Sequence, residues 1–110
     1  MEFKVYQDLV GQTAIYPNKG SNFVYPALGL GGETGEVQEK VKKILRGDTT
    51  VDEAKEDLKK EIGDVLWYLT QLSTELGLSL EDIAKENIVK LFDRRSRGVL
   101  KGSGDNRWSD

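Results

Sequence analysis

The sequence predicts an all-α protein, an up-and-down bundle of about four helices, and three observations predict it. Apolar residues recur three and four positions apart in four separate segments. Short connections carrying Pro, Gly, Asn or a capping residue divide those segments. The 110 residues fit a single domain, 1–110, whose own core is modest, so the bundle is expected to be completed by oligomerisation.

The first helix is expected over residues 2–15, where Phe3, Tyr6, Val10 and Ala14 share a face. Tyr16 to Asn22 reads as a loop, because Pro17 and Gly20 break a helix and Asn favours turns. Pro26 suits the first turn of the next helix, which runs to Arg46. Gly29, Gly31, Gly32 and Gly35 oppose it, each by about 1 kcal/mol. Leu30, Val37, Val41 and Ile44 nevertheless form one stripe, so the glycines are read as places of close backbone packing. After a turn at Arg46–Thr49, Thr50 and Glu53 have the spacing of a capping box. The third helix carries the longest stripe: Leu58, Ile62, Val65, Leu66, Leu69, Leu72 and Leu76, with Gly77 as its stop. Ser79 caps the last helix, with Asp82 at the position it bonds. Leu80, Ile83, Ala84, Ile88, Leu91 and Phe92 are its stripe, and residues 98–110 are expected to be an irregular tail.

Composition removes whole classes of chemistry. With no Cys and no His, disulfides, zinc sites on Cys or His, a histidine base and di-iron Glu-x-x-His pairs are all excluded. Any metal must sit on oxygen, which points to magnesium, manganese or calcium. A net charge of −3 gives no basic surplus for a nucleic-acid polymer. No apolar run approaches the ~20 residues that span a bilayer. Met1-Glu2-Phe3-Lys4 has no signal-peptide pattern, so a cytoplasmic protein is expected.

Glu33 and Glu36 are three apart, as are Glu61 and Asp64, so each pair can offer two carboxylates from one helix face. Such a pair alone is ordinary on a solvated helix. Three features raise these above that. Glu33 lies only about 60° from the centre of the apolar stripe, where an unpaired charge is costly. Tyr68 continues the flank of Glu61 and Asp64 on the next helix. Glu36 and Glu61 both lie roughly 15 Å from the intervening turn, so an antiparallel hairpin sets the pairs face to face. On the last helix Asn87, Lys90 and Arg94 share a stripe, and Lys90 and Arg94 fall near the level of the acids. Carboxylates, a hard cation and a basic clamp are the parts of a phosphate-transfer site. The chain lacks a third glycine after Gly29-x-Gly31 and has no Gly-Lys-Ser/Thr, so neither a dinucleotide fingerprint nor a P-loop is present. Trp67 is expected in the core or a subunit interface. Tyr16 and Tyr25 are read as loop packing.

These residues resemble a known family. Leu30-Gly31-Gly32-Glu33-Thr34-Gly35-Glu36-Val37, then Glu61-Ile62-Gly63-Asp64-Val65-Leu66-Trp67-Tyr68, then Asn87-x-x-Lys90-Leu91-x-x-Arg94 are similar to the motifs of the MazG-like nucleotide pyrophosphohydrolases, of the all-α NTP pyrophosphatase superfamily. The likeness covers about residues 24–95. It implies hydrolysis of a nucleoside triphosphate, or its deoxy form, to monophosphate and pyrophosphate. By this resemblance Glu33, Glu36, Glu61 and Asp64 hold Mg²⁺, or Mn²⁺ in its place. Lys90 and Arg94 hold phosphates, and Asn87 and Tyr68 line the nucleotide site. A homodimer or homotetramer is implied. Two other readings stand beside it: a phosphoribosyl-ATP pyrophosphohydrolase-like enzyme, and a non-enzymatic helical interaction module with solvated acids. Either Glu33 or Glu36 is the expected general base.

Overall fold

The computed structural model describes residues 1–98, and the expected tail lies outside them from residue 99 onward. Among the described residues there are four helices and no strand: α1 (Phe3–Thr13), α2 (Val24–Leu45), α3 (Val51–Glu75) and α4 (Leu80–Ser96).

The punctuation does its expected work. Thr50 caps α3, its hydroxyl oxygen accepting from the Glu53 N–H at 3.2 Å. Ser79 caps α4 in the same way through Asp82. Both long helices end on a glycine in the left-handed region. Gly47 has φ +83° and Gly77 φ +70°. In each case the following N–H (Asp48, Leu78) reaches back to a carbonyl of the last turn, Lys43 and Ser73 respectively, closing the C-terminus. α2 begins two residues before Pro26, which therefore sits in the first turn, where no backbone donor is missed. Asn22 supplies the cap, its Oδ1 accepting from the Tyr25 N–H at 3.1 Å.

α2 and α3 form a long hairpin, and α1 and α4 pack against its α3 side. Gln7 of α1 ties three places together: its Nε2 donates to Thr74 Oγ1 and to the Leu78 carbonyl, and its Oε1 accepts from the Leu80 N–H. The Trp67 indole N–H donates to Thr13 Oγ1 at 2.7 Å. These bonds sit at the C-terminal half of α3.

Burial departs from expectation in a systematic way. Val10, Ala14, Ala54 and Leu80 are buried, but Ile62 is 57% exposed, and Leu66, Leu69, Leu76, Ile88 and Phe92 are exposed as well. The buried residues of α3 are largely polar: Thr70, Gln71 and Ser73. Thr70 and Ser73 satisfy their hydroxyls on the carbonyls of Leu66 and Leu69, one turn back. On α3, Glu61, Asp64, Tyr68, Gln71 and Glu75 recur at three and four, and this stripe turns toward α2 and the loop before it. Leu58, Val65 and Leu72 of the apolar stripe are half-buried beside it, while Ile62, Leu66, Leu69 and Leu76 stay exposed. Thr70 and Ser73 lie on another side of α3, about 120–180° around from Glu61.

The glycines of α2 divide likewise. A Cβ at Gly29 would overlap the Tyr68 ring, as expected of close packing. Gly31, Gly32 and Gly35 meet nothing within 4 Å, which corrects the reading of them as close-packed within one chain.

Candidate active site

Because the hairpin is antiparallel, Gly29 lies against Tyr68 and, one turn on, Glu33 comes to Asp64 and Glu61. Glu33, Glu61 and Asp64 each present a carboxylate oxygen, and the three lie within 4.8 Å of one another. Two oxygens bound on opposite sides of Mg²⁺ at ~2.1 Å lie about 4.2 Å apart, so this spacing suits one hard cation. The donor set fits too, being all oxygen.

The electrostatics show a site short of positive charge. Partial burial pushes the Glu33 carboxyl up from its ordinary value, as do the charge of Asp64, a hydrogen bond with Glu61 and the charges of Glu61 and Glu36. Lys40 offers partial relief, its Nζ standing 4.0 Å from Glu61 Oε1. Glu36 is exposed and outside the trio, although its charge acts on Glu33.

A cleft of about 280 Å³ opens beside the acids, lined by Glu33, Asp64, Trp67 and Tyr68. Trp67 is half-exposed there, so this chain does not bury it as a core residue. Its ring meets Tyr68 edge-on at 5.0 Å and 78°. Tyr25 stands near the Tyr68 hydroxyl, and burial is the first cause of the raised Tyr68 pKa, followed by Tyr25, Glu33 and Asp64. Tyr6 of α1 also feels Asp64, after burial, as an upward shift of its phenol. Trp67, expected in the core or a subunit interface, and Tyr6, placed on the first apolar stripe, are thus neighbours of the site.

Asn87, Lys90 and Arg94 are carried by α4, which packs on α1 and α3. Asn87 is exposed, Lys90 partly buried and Arg94 buried. None of the three lines the cleft. A single chain therefore brings together the acids of α2 and α3 with Tyr68, and leaves the α4 stripe outside the cleft's walls.

A second carboxylate centre went unnoticed in the sequence. Glu75 continues the stripe of Glu61, Asp64, Tyr68 and Gln71, and that spacing was the available signal. Its carboxylate accepts from the Tyr16 hydroxyl, from the Gly20 N–H at 2.9 Å and from the Asn22 N–H at 2.9 Å. Those three bonds, Tyr16 first, hold its pKa down. Gln71 Nε2 donates to the Tyr16 oxygen at 2.8 Å. Tyr16 stacks on Tyr25 at 4.8 Å, so the loop tyrosines pack on one another, as expected.

A family model described as the MazG nucleotide pyrophosphohydrolase domain matches residues 27–99. A curated relative, the Gene 37 protein of Mycobacterium phage L5, is 44% identical over 114 aligned residues, covering 97% of this chain and 100% of that protein. No solved structure matches the chain.

Proposed function

The chain belongs to the MazG nucleotide pyrophosphohydrolase domain family, and from that premise we propose that it hydrolyses a nucleoside triphosphate, ribo or deoxy, to monophosphate and pyrophosphate with Mg²⁺ as cofactor. The observation that carries this reading is the convergence of Glu33, Glu61 and Asp64 on one point in the wall of a cleft. The interaction-module alternative expects those side chains to stand apart in solvent.

In the proposed reaction, water attacks the α-phosphorus, the bond from that phosphorus to the bridging oxygen breaks, and pyrophosphate leaves. Glu33, Glu61 and Asp64 would hold the ion, which when bound would stabilise phosphate charge as a Lewis acid and lower the pKa of water. Mn²⁺, of similar ligand preference, is expected to substitute. Glu36, exposed and one turn from Glu33, has the freedom to complete the ligand set or to take the proton from water. Tyr68 lines the nucleotide site; Asn87, Lys90 and Arg94, which stand outside the cleft of one chain, are assigned to the nucleotide and its phosphates by the family resemblance alone.

The reading extends to a homodimer or homotetramer. Fully burying a Leu or Ile side chain is worth about 1.5–3 kcal/mol. Ile62, Leu66, Leu69, Ile88 and Phe92 leave much of that gain unrealised in one chain. A second copy bearing the same stripe is a complementary cover. Sedimentation should show an assembly larger than 12.3 kDa, and Leu66→Glu should reduce it to that mass.

The catalytic reading is tested by incubating the purified protein with ribo- and deoxynucleoside triphosphates and Mg²⁺, then separating the products. Monophosphate and pyrophosphate are expected. Diphosphate and orthophosphate would overturn the proposed cleavage site.

A further inference from the structure

Gly29 lies one helical turn before Glu33, on the face of α2 that meets α3. Its backbone is helical, so no special φ requires glycine there. In a helix glycine is less favourable than alanine, and this one has a different reason to be present. A Cβ built on it would run into the Tyr68 ring, striking Cε1, Cδ1 and Cζ together. These atoms run along one whole edge of a rigid ring, so a small shift of a flexible tip cannot relieve the overlap.

We propose that Gly29 is a positioning residue of the candidate active site, acting through Tyr68. Because it has no side chain, the Tyr68 ring lies directly on the α2 backbone. There Trp67 meets the edge of the ring, and Tyr25, itself stacked on Tyr16, stands near its hydroxyl. So held, the ring forms one wall of the cleft whose other walls are Glu33, Asp64 and Trp67. A methyl at position 29 has two outlets. It moves the ring outward into the cleft, or it pushes α2 from α3 and separates Glu33 from Asp64. Both damage the site, and metal binding distinguishes them.

The role rests on the hydrolase reading above. The test is a double-mutant cycle of Gly29→Ala and Tyr68→Leu, assayed for Mn²⁺ binding, thermal stability and nucleotide hydrolysis. With the tyrosine present, Gly29→Ala should lower kcat/KM by about tenfold or more, mainly through KM, as expected for a displaced positioning group. Mn²⁺ affinity should stay near wild type if the ring moves, and should fall with kcat if the helices part. Leucine at 68 lacks the Cε1 and Cζ atoms of the overlap and can turn its Cδ atoms away, which relieves the clash. Adding Gly29→Ala should then change kcat/KM by less than about twofold and raise the melting temperature, the ordinary result of Gly→Ala in a helix. An active wild type with Gly29→Ala at wild-type kcat and KM overturns the positioning role alone. So does a loss that is equally large in both backgrounds, since it would then not pass through Tyr68. A wild type that hydrolyses no nucleotide overturns the hydrolase reading itself, and with it the site that Gly29 would serve.

Discussion

Two carboxylate centres sit on one face of α3, about three turns apart, and they are electrostatic opposites. At the first, Glu61 and Asp64 meet Glu33, and acids face acids. At the second, Glu75 faces a phenol and two backbone N–H groups, and every near neighbour is a donor. The pKa of Glu33 is pushed up and that of Glu75 is held down. The same residue type at the same helical spacing thus makes an unsatisfied site and a satisfied one. Glu75 needs nothing from solution, and its work is to pin the 16–22 loop to α3. The Glu33 cluster is left with mutual repulsion that Lys40 relieves only in part.

Four experiments break or sharpen this contrast. The largest effect is expected from Asp64→Asn or Glu61→Gln, which should lower pyrophosphate release by about 10²-fold or more, the scale of losing a charge-stabilising group. Neither should destabilise the metal-free fold, because each removes repulsion. A large fall in urea midpoint would show that these acids are structural instead. Glu75→Ala should do the reverse. It leaves the Gly20 and Asn22 N–H groups without their acceptor, and a loss of about 1–2 kcal/mol in urea unfolding is expected for a partly exposed charged acceptor. Metal affinity of this variant should be unchanged, as calorimetry with Mn²⁺ would establish.

Smaller again is the response to cation. Saturating Mg²⁺ should raise the melting temperature by about 5 °C. The rise should vanish in Asp64→Asn and persist in Glu75→Ala. Smallest is the pH dependence, where the two centres have opposite signs. Glu75 binds its proton less tightly folded than unfolded. Its contribution is present above the unfolded carboxylate pKa and is lost as pH falls through the lower folded value. Glu33 binds its proton more tightly folded. Its contribution is present below the unfolded pKa and is lost as pH rises through the higher folded value. Urea midpoints across pH 3–7 should therefore show a shallower acid limb for Glu75→Gln. In metal-free protein, Glu33→Gln should be more stable than wild type near neutrality, with the advantage shrinking as pH falls.

Much of this was legible in the chain. Caps and stops at Thr50, Ser79, Gly47 and Gly77 are local, because each is a side chain or a φ value acting on backbone three to five residues away. The acid pairs were legible for a related reason: helical spacing and equal distance from one turn predict that Glu33 meets Glu61 and Asp64. The trio closed and Glu36 stayed outside it, which spacing does not resolve, since rotamer choice decides it. Tyr6 falls on an apolar stripe and Trp67 is read as core or subunit interface for its size, because an amphipathic ring counts as apolar in such readings.

Helix number, helix ends, the type of metal ligand and the hairpin register are therefore properties of neighbouring residues along the chain. Which face of α3 would be covered is not. Of the longest stripe, Leu58 to Leu76, the structure half-buries Leu58, Val65 and Leu72 and leaves Ile62, Leu66, Leu69 and Leu76 exposed, while the polar Gln71 is buried. Periodicity names the faces of a helix, but a face is buried only when another surface arrives to cover it. α2 and the loop latched by Glu75 arrived on the polar side, where hydrogen bonds and a glycine accommodate them. The exposed part of the apolar stripe has no such cover among the described residues.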